Sequence, residues 1–192
     1  MNNIVKAGIL LLLAGFLNAC SSGMSEHHHP EAEGLETASE KNQKEITVSL
    51  ITSKGEAAGK AIITETIKGV NIHLEGENLP PGKRAIHIHE TGSCVKPDFT
   101  SAGAHLNPFA KKHGFENPHG PHAGDIPNIT IGSDGKITAD VTAPLAEFSQ
   151  VLDEDGSALV IHEKEDDYKT DPAGNAGARI ACGVIHKENQ SM

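Results

Sequence analysis

Between Arg84 and Asp125 the chain reads RAIHIHETGSCVKPDFTSAGAHLNPFAKKHGFENPHGPHAGD, and this stretch holds six of its twelve histidines. His87 and His89 stand two apart in an alternating run. On a strand both imidazoles then share one face while Ile86 and Ile88 share the other. His105, His113, His122 and Asp125 follow at steps of eight, nine and three residues, through a loop rich in Gly, Pro and Asn. Imidazoles converging from a strand and a long loop make a donor set for a late first-row metal ion, and a lone carboxylate among them suits zinc. The number of donors points to two metals rather than one.

The elements that must position these side chains are strands. Ile46, Val48 and Leu50 alternate with polar neighbours, and so do Ala61 with Ile63 and Val70 with Ile72 and Leu74. Gly55, Gly59, Gly69, Gly76 and Pro80-Pro81-Gly82 punctuate these runs as turns. Arg84 to Glu90 reads as a fourth strand. Ile126 to Ile131 and Lys136 to Val141, joined by Gly132-Ser133-Asp134-Gly135, read as a hairpin. Ser157 to His162 and Arg179 to His186 bring the expected strands to eight. There is no convincing amphipathic helix and no fixed-period repeat. The expected fold is all-β: an eight-stranded Greek-key barrel or sandwich, immunoglobulin-like, carrying long loops. With no Trp and one Tyr, the core must be filled by Val, Ile, Leu and Ala.

The formal net charge is −10 over 192 residues, and no basic stripe exists to neutralise phosphates, which argues against nucleic acid. A small anion is not excluded, because an acidic protein can focus one into a locally positive cleft. Residues 1–19 read as an export signal, with Lys6 as basic flank and Ala7 to Leu17 as an apolar run too short to span a bilayer comfortably. Leu17-Asn18-Ala19-Cys20 resembles the bacterial lipoprotein cleavage box, which would make Cys20 an acylated first residue anchored in a membrane of the cell envelope. Residues 20–44 are rich in Glu, Ser, Gly and Lys and read as a flexible tether of roughly 25–30 Å root-mean-square reach. Within it, His27, His28 and His29 read as a solvated run, with metal capture as the alternative. Residues 45–192 form the folded domain. Cys94 and Cys182 are then left as an even pair in an oxidising compartment.

HIHE at 87–90, SAGAHLNP at 101–108, KKHG at 111–114, HAGD at 122–125, LVIHEKEDD at 159–167 and GNAGARIACGVI at 174–185 occur in this order. Together they resemble the copper/zinc superoxide dismutase family, over roughly Glu45 to His186, about three quarters of the chain. The β-sandwich architecture and electrostatic steering of substrate belong to that family generally. The resemblance implies copper held by His87, His89, His105 and His162, and zinc held by His105, His113, His122 and Asp125, with His105 shared between them. It implies that Asp166 links His87 to His113, that Arg179 stands beside the open copper position, and that Cys94 pairs with Cys182.

The activity implied is dismutation of superoxide to dioxygen and hydrogen peroxide. Copper is the redox centre, His105 exchanges its copper bond for a proton, and zinc is structural. An extracytoplasmic copper or zinc carrier without that activity is the competing reading, and a zinc hydrolase a distant third, since four protein ligands already fill the zinc set. Whether the domain works alone or as a homodimer is left open. His73, His119 and His186 are expected to lie outside the site, and Glu90 and Glu163 to face away from it. Ala85 and Ala173 depart from the residues many family members carry. Four acids at 165, 166, 167 and 171 against Lys169 leave the steering field weaker or differently arranged.

Overall fold

The computed structural model describes residues 44–189. The expected signal at 1–19, the expected acylation at Cys20 and the expected tether up to residue 43 lie outside the described residues. The domain contains nine strands: β1 (Glu45–Thr52), β2 (Ala57–Thr66), β3 (Gly69–Gly76), β4 (Gly82–Arg84), β5 (Ile86–His89), β6 (Ile129–Ile131), β7 (Ile137–Ala143), β8 (Ser157–His162) and β9 (Arg179–Ile185). One α-helical turn, α1 (Phe148–Val151), stands between β7 and β8. Seven strands form an antiparallel sheet in the order β5-β8-β9-β1-β2-β3-β7, and β4 pairs with β6 in a second, small sheet.

Closure of the barrel explains why nine strands appear where eight are expected. The run from Arg84 to Glu90 is interrupted at Ala85. Before it, the backbone pairs with β6; after it, with β8. Ala85 itself donates to the Lys164 carbonyl (2.8 Å) and accepts from the His162 N–H (2.9 Å). One edge of the large sheet therefore continues through β4 to β6, and β6 leads by a turn to β7 at the other edge. Gly132 and Gly135 make that turn, with Gly132 N–H on Lys136 O at 2.9 Å. The expected hairpin is not one, since β6 pairs with β4 and β7 with β3. Pro127, which has no N–H to give a ladder, precedes β6, which begins only at Ile129.

Inward residues of the large sheet, among them Ile46, Val48, Ile63, Ile72, Leu74, Ile86, Ile88, Leu159 and Ile161, make one aliphatic core that Ile129 and Ile131 complete. A second cluster of Phe99, Ala102, Ala158, Val160 and Cys182 carries the start of the long loop, with Cys94 packed on it. Cys94 and Cys182 form a disulfide at a sequence separation of 88. It ties the loop to β9. Closing a loop of that length constrains the unfolded chain by about 4–5 kcal/mol in the entropic description. Replacing both cysteines by Ala is accordingly expected to lower the unfolding free energy of the metal-free domain by about 2–5 kcal/mol. Urea denaturation at neutral pH measures it, and a loss below 1 kcal/mol would contradict the assignment of the loop's stability to this bond.

Candidate metal centre

β5 is buried on both faces. Ile86 and Ile88 enter the aliphatic core, and His87 and His89, at 0 % and 1 % exposure, face the other way. The long loop is stitched beside this strand by backbone bonds: Leu106 N–H on Ile88 O, Ile88 N–H on Gly124 O and Gly124 N–H on Leu106 O, all within 2.9 Å. A Cβ on Gly124 would lie 2.2 Å from Ile88 O, so only glycine permits this approach. Isolated bridge pairings set His105 opposite His89 and Asp125 opposite His87. His162 arrives from the end of β8, where a register shift after Ile161 places it across from Arg179.

Two donor sets result. Ring nitrogens of His87, His89, His105 and His162 lie within 4.8 Å of one another, and all four residues are buried. His89 Nε2 and His162 Nε2 are 3.3 Å apart. On the other side of His105, Asp125 Oδ1 lies 3.0 Å from His105 Nδ1, 3.0 Å from His113 Nδ1 and 3.4 Å from His122 Nδ1. His122 Nδ1 and His105 Nδ1 are 3.5 Å apart. A tetrahedral cation with bonds near 2.0–2.1 Å needs donor separations of about 3.3 Å, and these distances cluster there. His87 Nδ1 and His105 Nε2 are buried with no hydrogen-bond partner in the protein. Such atoms cost about 1–3 kcal/mol each if left unsatisfied, and a cation satisfies both. The donors fit two metals.

The outer ring of contacts fixes the rings. Asp166 accepts from His87 Nε2 at 2.8 Å through one oxygen and from His113 Nε2 at 3.0 Å through the other. Asp125 Oδ2 accepts the backbone N–H groups of Gly114 and His122. His89 Nδ1 faces Gly103 O at 3.0 Å. A Cβ on Gly174 would strike Asp166 Oδ1, so the backbone of the second long loop, between β8 and β9, packs directly on the Asp166 bridge. Arg179 reaches the same frame, its guanidinium donating to Phe99 O and Gly103 O at 2.6 Å each. Gly103 O therefore holds both His89 and Arg179.

Charge follows burial and partners. Burial, then the neighbouring His87, lowers His105 to about 3. Burial first, and other histidines after it, likewise hold His89 and His162 well below the ordinary imidazole range. His87 is lowered by burial against the pull of Asp166. His113 differs: burial opposes its charge, but the carboxylates of Asp125 and Asp166 raise it to about 9. Burial works to raise Asp125 and Asp166, yet their histidine hydrogen bonds hold both well below the usual carboxylate range.

Sequence reasoning missed three residues that build this frame. Asn128 clamps the Asp166 backbone, accepting its N–H at 2.8 Å and donating to its carbonyl at 2.9 Å. The Tyr168 hydroxyl accepts the Asn128 N–H. Asp171 accepts the His113 N–H at 2.9 Å and pairs with Lys112. Nothing in their spacing marks them; each acts on the backbone of a residue it holds in place. His119 is exposed, His186 half-buried, and Glu90 and Glu163 exposed, with Glu90 accepting the Ala104 N–H. His73 has a neighbour after all, 2.9 Å from Asp140 on β7, but at the opposite edge of the large sheet from β5.

Two buried donor sets that meet at His87 and His105, with His122 Nδ1 3.4 Å from Asp125 Oδ1, give this small β-barrel the residues to hold two metal ions. The family model for copper/zinc superoxide dismutase matches residues 57–185. The chain is 52 % identical over 142 residues to superoxide dismutase [Cu-Zn] 1 of Aquifex aeolicus, covering 71 % of this chain and 84 % of that one. It is 41 % identical over 196 residues to the superoxide dismutase-like protein YojM of Bacillus subtilis, covering 96 % and 98 %. Among solved structures, a double mutant of a SOD-like protein from Bacillus subtilis, with a tyrosine and a proline each replaced by histidine, superposes with a TM-score of 0.69 at 50 % identity over 73 % of this chain and 96 % of that one. The chain belongs to the copper/zinc superoxide dismutase family.

A proton on His113 must leave when a cation takes its Nδ1. In the metal-free protein that proton's stabilisation is fully present below the unfolded value of 6.5 and is lost as pH rises through about 9. Zinc affinity at the Asp125 pocket should therefore climb by about tenfold per pH unit toward 9 and level off above it. Calorimetric zinc titrations in buffers of different ionisation enthalpy measure both the slope and the proton released. Affinity unchanged between pH 7 and 9 would contradict the charge state given to His113.

Proposed function

We propose that the chain is a superoxide dismutase, combining two superoxide ions and two protons into dioxygen and hydrogen peroxide. In this reading His87, His89, His105 and His162 hold copper, and His105, His113, His122 and Asp125 hold zinc. The observation that carries it is the pair of buried donor sets that meet at His87 and His105, with His122 Nδ1 beside Asp125 and His105 in the second, in a chain of this family. Bound there, copper would supply the one-electron oxidation and reduction, and zinc would find four protein donors in the other set.

The chain's own residues do the rest. Asp166 accepts the Nε2 protons of His87 and His113, which leaves their Nδ1 atoms free to face the metals. His105 offers Nδ1 to the Asp125 pocket and Nε2 to the other, so it is the group placed to hold and release a proton at Nε2. Arg179, fixed by Phe99 O and Gly103 O, puts a positive charge beside His89 and His162, where it attracts and orients a small anion. The four acids of the second loop do not repel that anion freely. Glu165 pairs with Lys83, Asp171 with Lys112, Asp166 is buried on two histidines, and Asp167 accepts from Thr170, Lys169 and Asn175.

The same reading puts the protein outside the cytoplasm, held by a lipid on Cys20. Leu17-Asn18-Ala19-Cys20 supports the anchor, and a disulfide of this kind persists in oxidising compartments. With copper and zinc loaded, dismutase activity should fall as ionic strength rises. Arg179→Ala should cost at least about tenfold in rate and flatten that salt dependence, with Arg179→Lys in between. His89→Ala should abolish turnover while zinc binding persists. Pulse radiolysis with metal analysis reads all of these. A fully loaded protein without activity, passing copper to an acceptor whether or not Arg179 is present, would make it a carrier instead.

A further inference from the structure

Three large apolar side chains are exposed together at one end of the barrel. Ile67, at the tip of the β2–β3 turn, is wholly exposed at 102 %, Phe109 is 50 % exposed and Leu145 45 %. They line one shallow groove, shared with Lys68 and Lys111. Neither ammonium group enters an ion pair among the described residues. The remaining acids of the groove are engaged: Glu65 with Lys44 at 3.4 Å, and Glu147 with the first turn of α1.

The chain enters the domain at this same end. Lys44, the first described residue, accepts the Glu65 N–H through its carbonyl and lays its ammonium over the Phe148 ring. Both Glu65 and Phe148 belong to the groove. Twenty-three residues lie between Cys20 and Lys44. A lipid on Cys20 would therefore draw on the domain at the end that carries this face. Most of a chain of net charge −10 is repelled by anionic headgroups. A patch with two unpaired lysines and three apolar tips is the part of the surface that can approach them.

We propose that the domain rests on an anionic bilayer through Ile67, Phe109 and Leu145, with Lys68 and Lys111 on the headgroups. The inference rests on the membrane-anchor reading above and deepens it. It also fixes where the reaction faces. Arg179 shares its groove with Ser53, just past the end of β1, whereas Lys44 stands at its beginning. Eight residues of strand separate the two, about 25 Å. Docked in this way, the Arg179 groove opens away from the membrane into the aqueous phase.

The chain has no Trp, and with Cys94 and Cys182 bonded Cys20 is its one free thiol. The mature chain from Cys20, carrying Ile67→Trp, can therefore be coupled to a maleimide lipid in phosphatidylethanolamine/phosphatidylglycerol vesicles and read by a single indole. Lipids brominated in the acyl chain should quench that emission roughly twofold or more. A Val95→Trp reporter, at the Arg179 end, should be unaffected. The quenching should disappear when Lys68→Glu and Lys111→Glu are combined, with dismutase activity in solution unchanged. No quenching at 67, equal quenching at both positions, or an indole at 67 shielded only by a second copy as concentration rises would each overturn the proposal. Because the coupling is chemical, acylation of Cys20 in the cell is read separately, by mass spectrometry of the isolated protein. An unmodified Cys20 would sink the anchor without altering the vesicle result.

Discussion

The structure turns on gathering seven titratable side chains into one buried volume around His105. In water each imidazole nitrogen and carboxylate oxygen is satisfied; here His87 Nδ1 and His105 Nε2 have no partner in the protein. Without metal, four imidazoles are held neutral by burial while His113 keeps a proton between two carboxylates. That cluster is tolerable only because its surroundings over-determine it. The loop is laced to β5, glycine at 124 allows the contact, and Asp166 braces one ring of each pocket. A cation at each pocket converts this unfavourable arrangement into a favourable one, so binding and folding are linked.

The disulfide and the arginine belong to the same frame. Cys94 pins the loop segment that runs on to Phe99 and Gly103, and those two carbonyls receive Arg179. Gly103 O also takes His89 Nδ1. The residue that would meet the anion and a residue of the first donor set are therefore positioned by one peptide group. Losing the loop anchor should disturb the entrance before it disturbs the Asp125 pocket, which is laced to β5 on its own.

Much of this was legible in the residues. Period-two alternation marked the strands, and the His-x-His step on β5 told which rings share a face. Spacing could not tell that Arg84 to Glu90 divides at Ala85, because the division comes from which neighbour each half bonds, a fact of closure rather than of pattern. It also offered a hairpin at Gly132 to Gly135, where the turn exists but its two strands part to different sheets. Asn128, Tyr168 and Asp171 stayed hidden, since a side chain that acts by clamping a distant backbone leaves no mark on its own neighbourhood. The family resemblance already gave Asp166 its place between His87 and His113. Glu165, Asp167 and Asp171 looked like a surface charge run, and their roles emerged only with their partners: two ion pairs and a turn.

With both metals bound as proposed, one deprotonated imidazole, His105, would join them. Copper(II) would be offered to both pockets of the metal-free protein, its uptake of two ions checked by metal analysis, and the electron paramagnetic resonance signal recorded near neutral pH. Two copper(II) ions bridged by the His105 ring should couple through it, so that most of the signal disappears relative to the copper content and returns in His105→Asn. A full signal from two independent copper(II) ions in the unaltered protein would contradict the shared imidazole, and the account built on it.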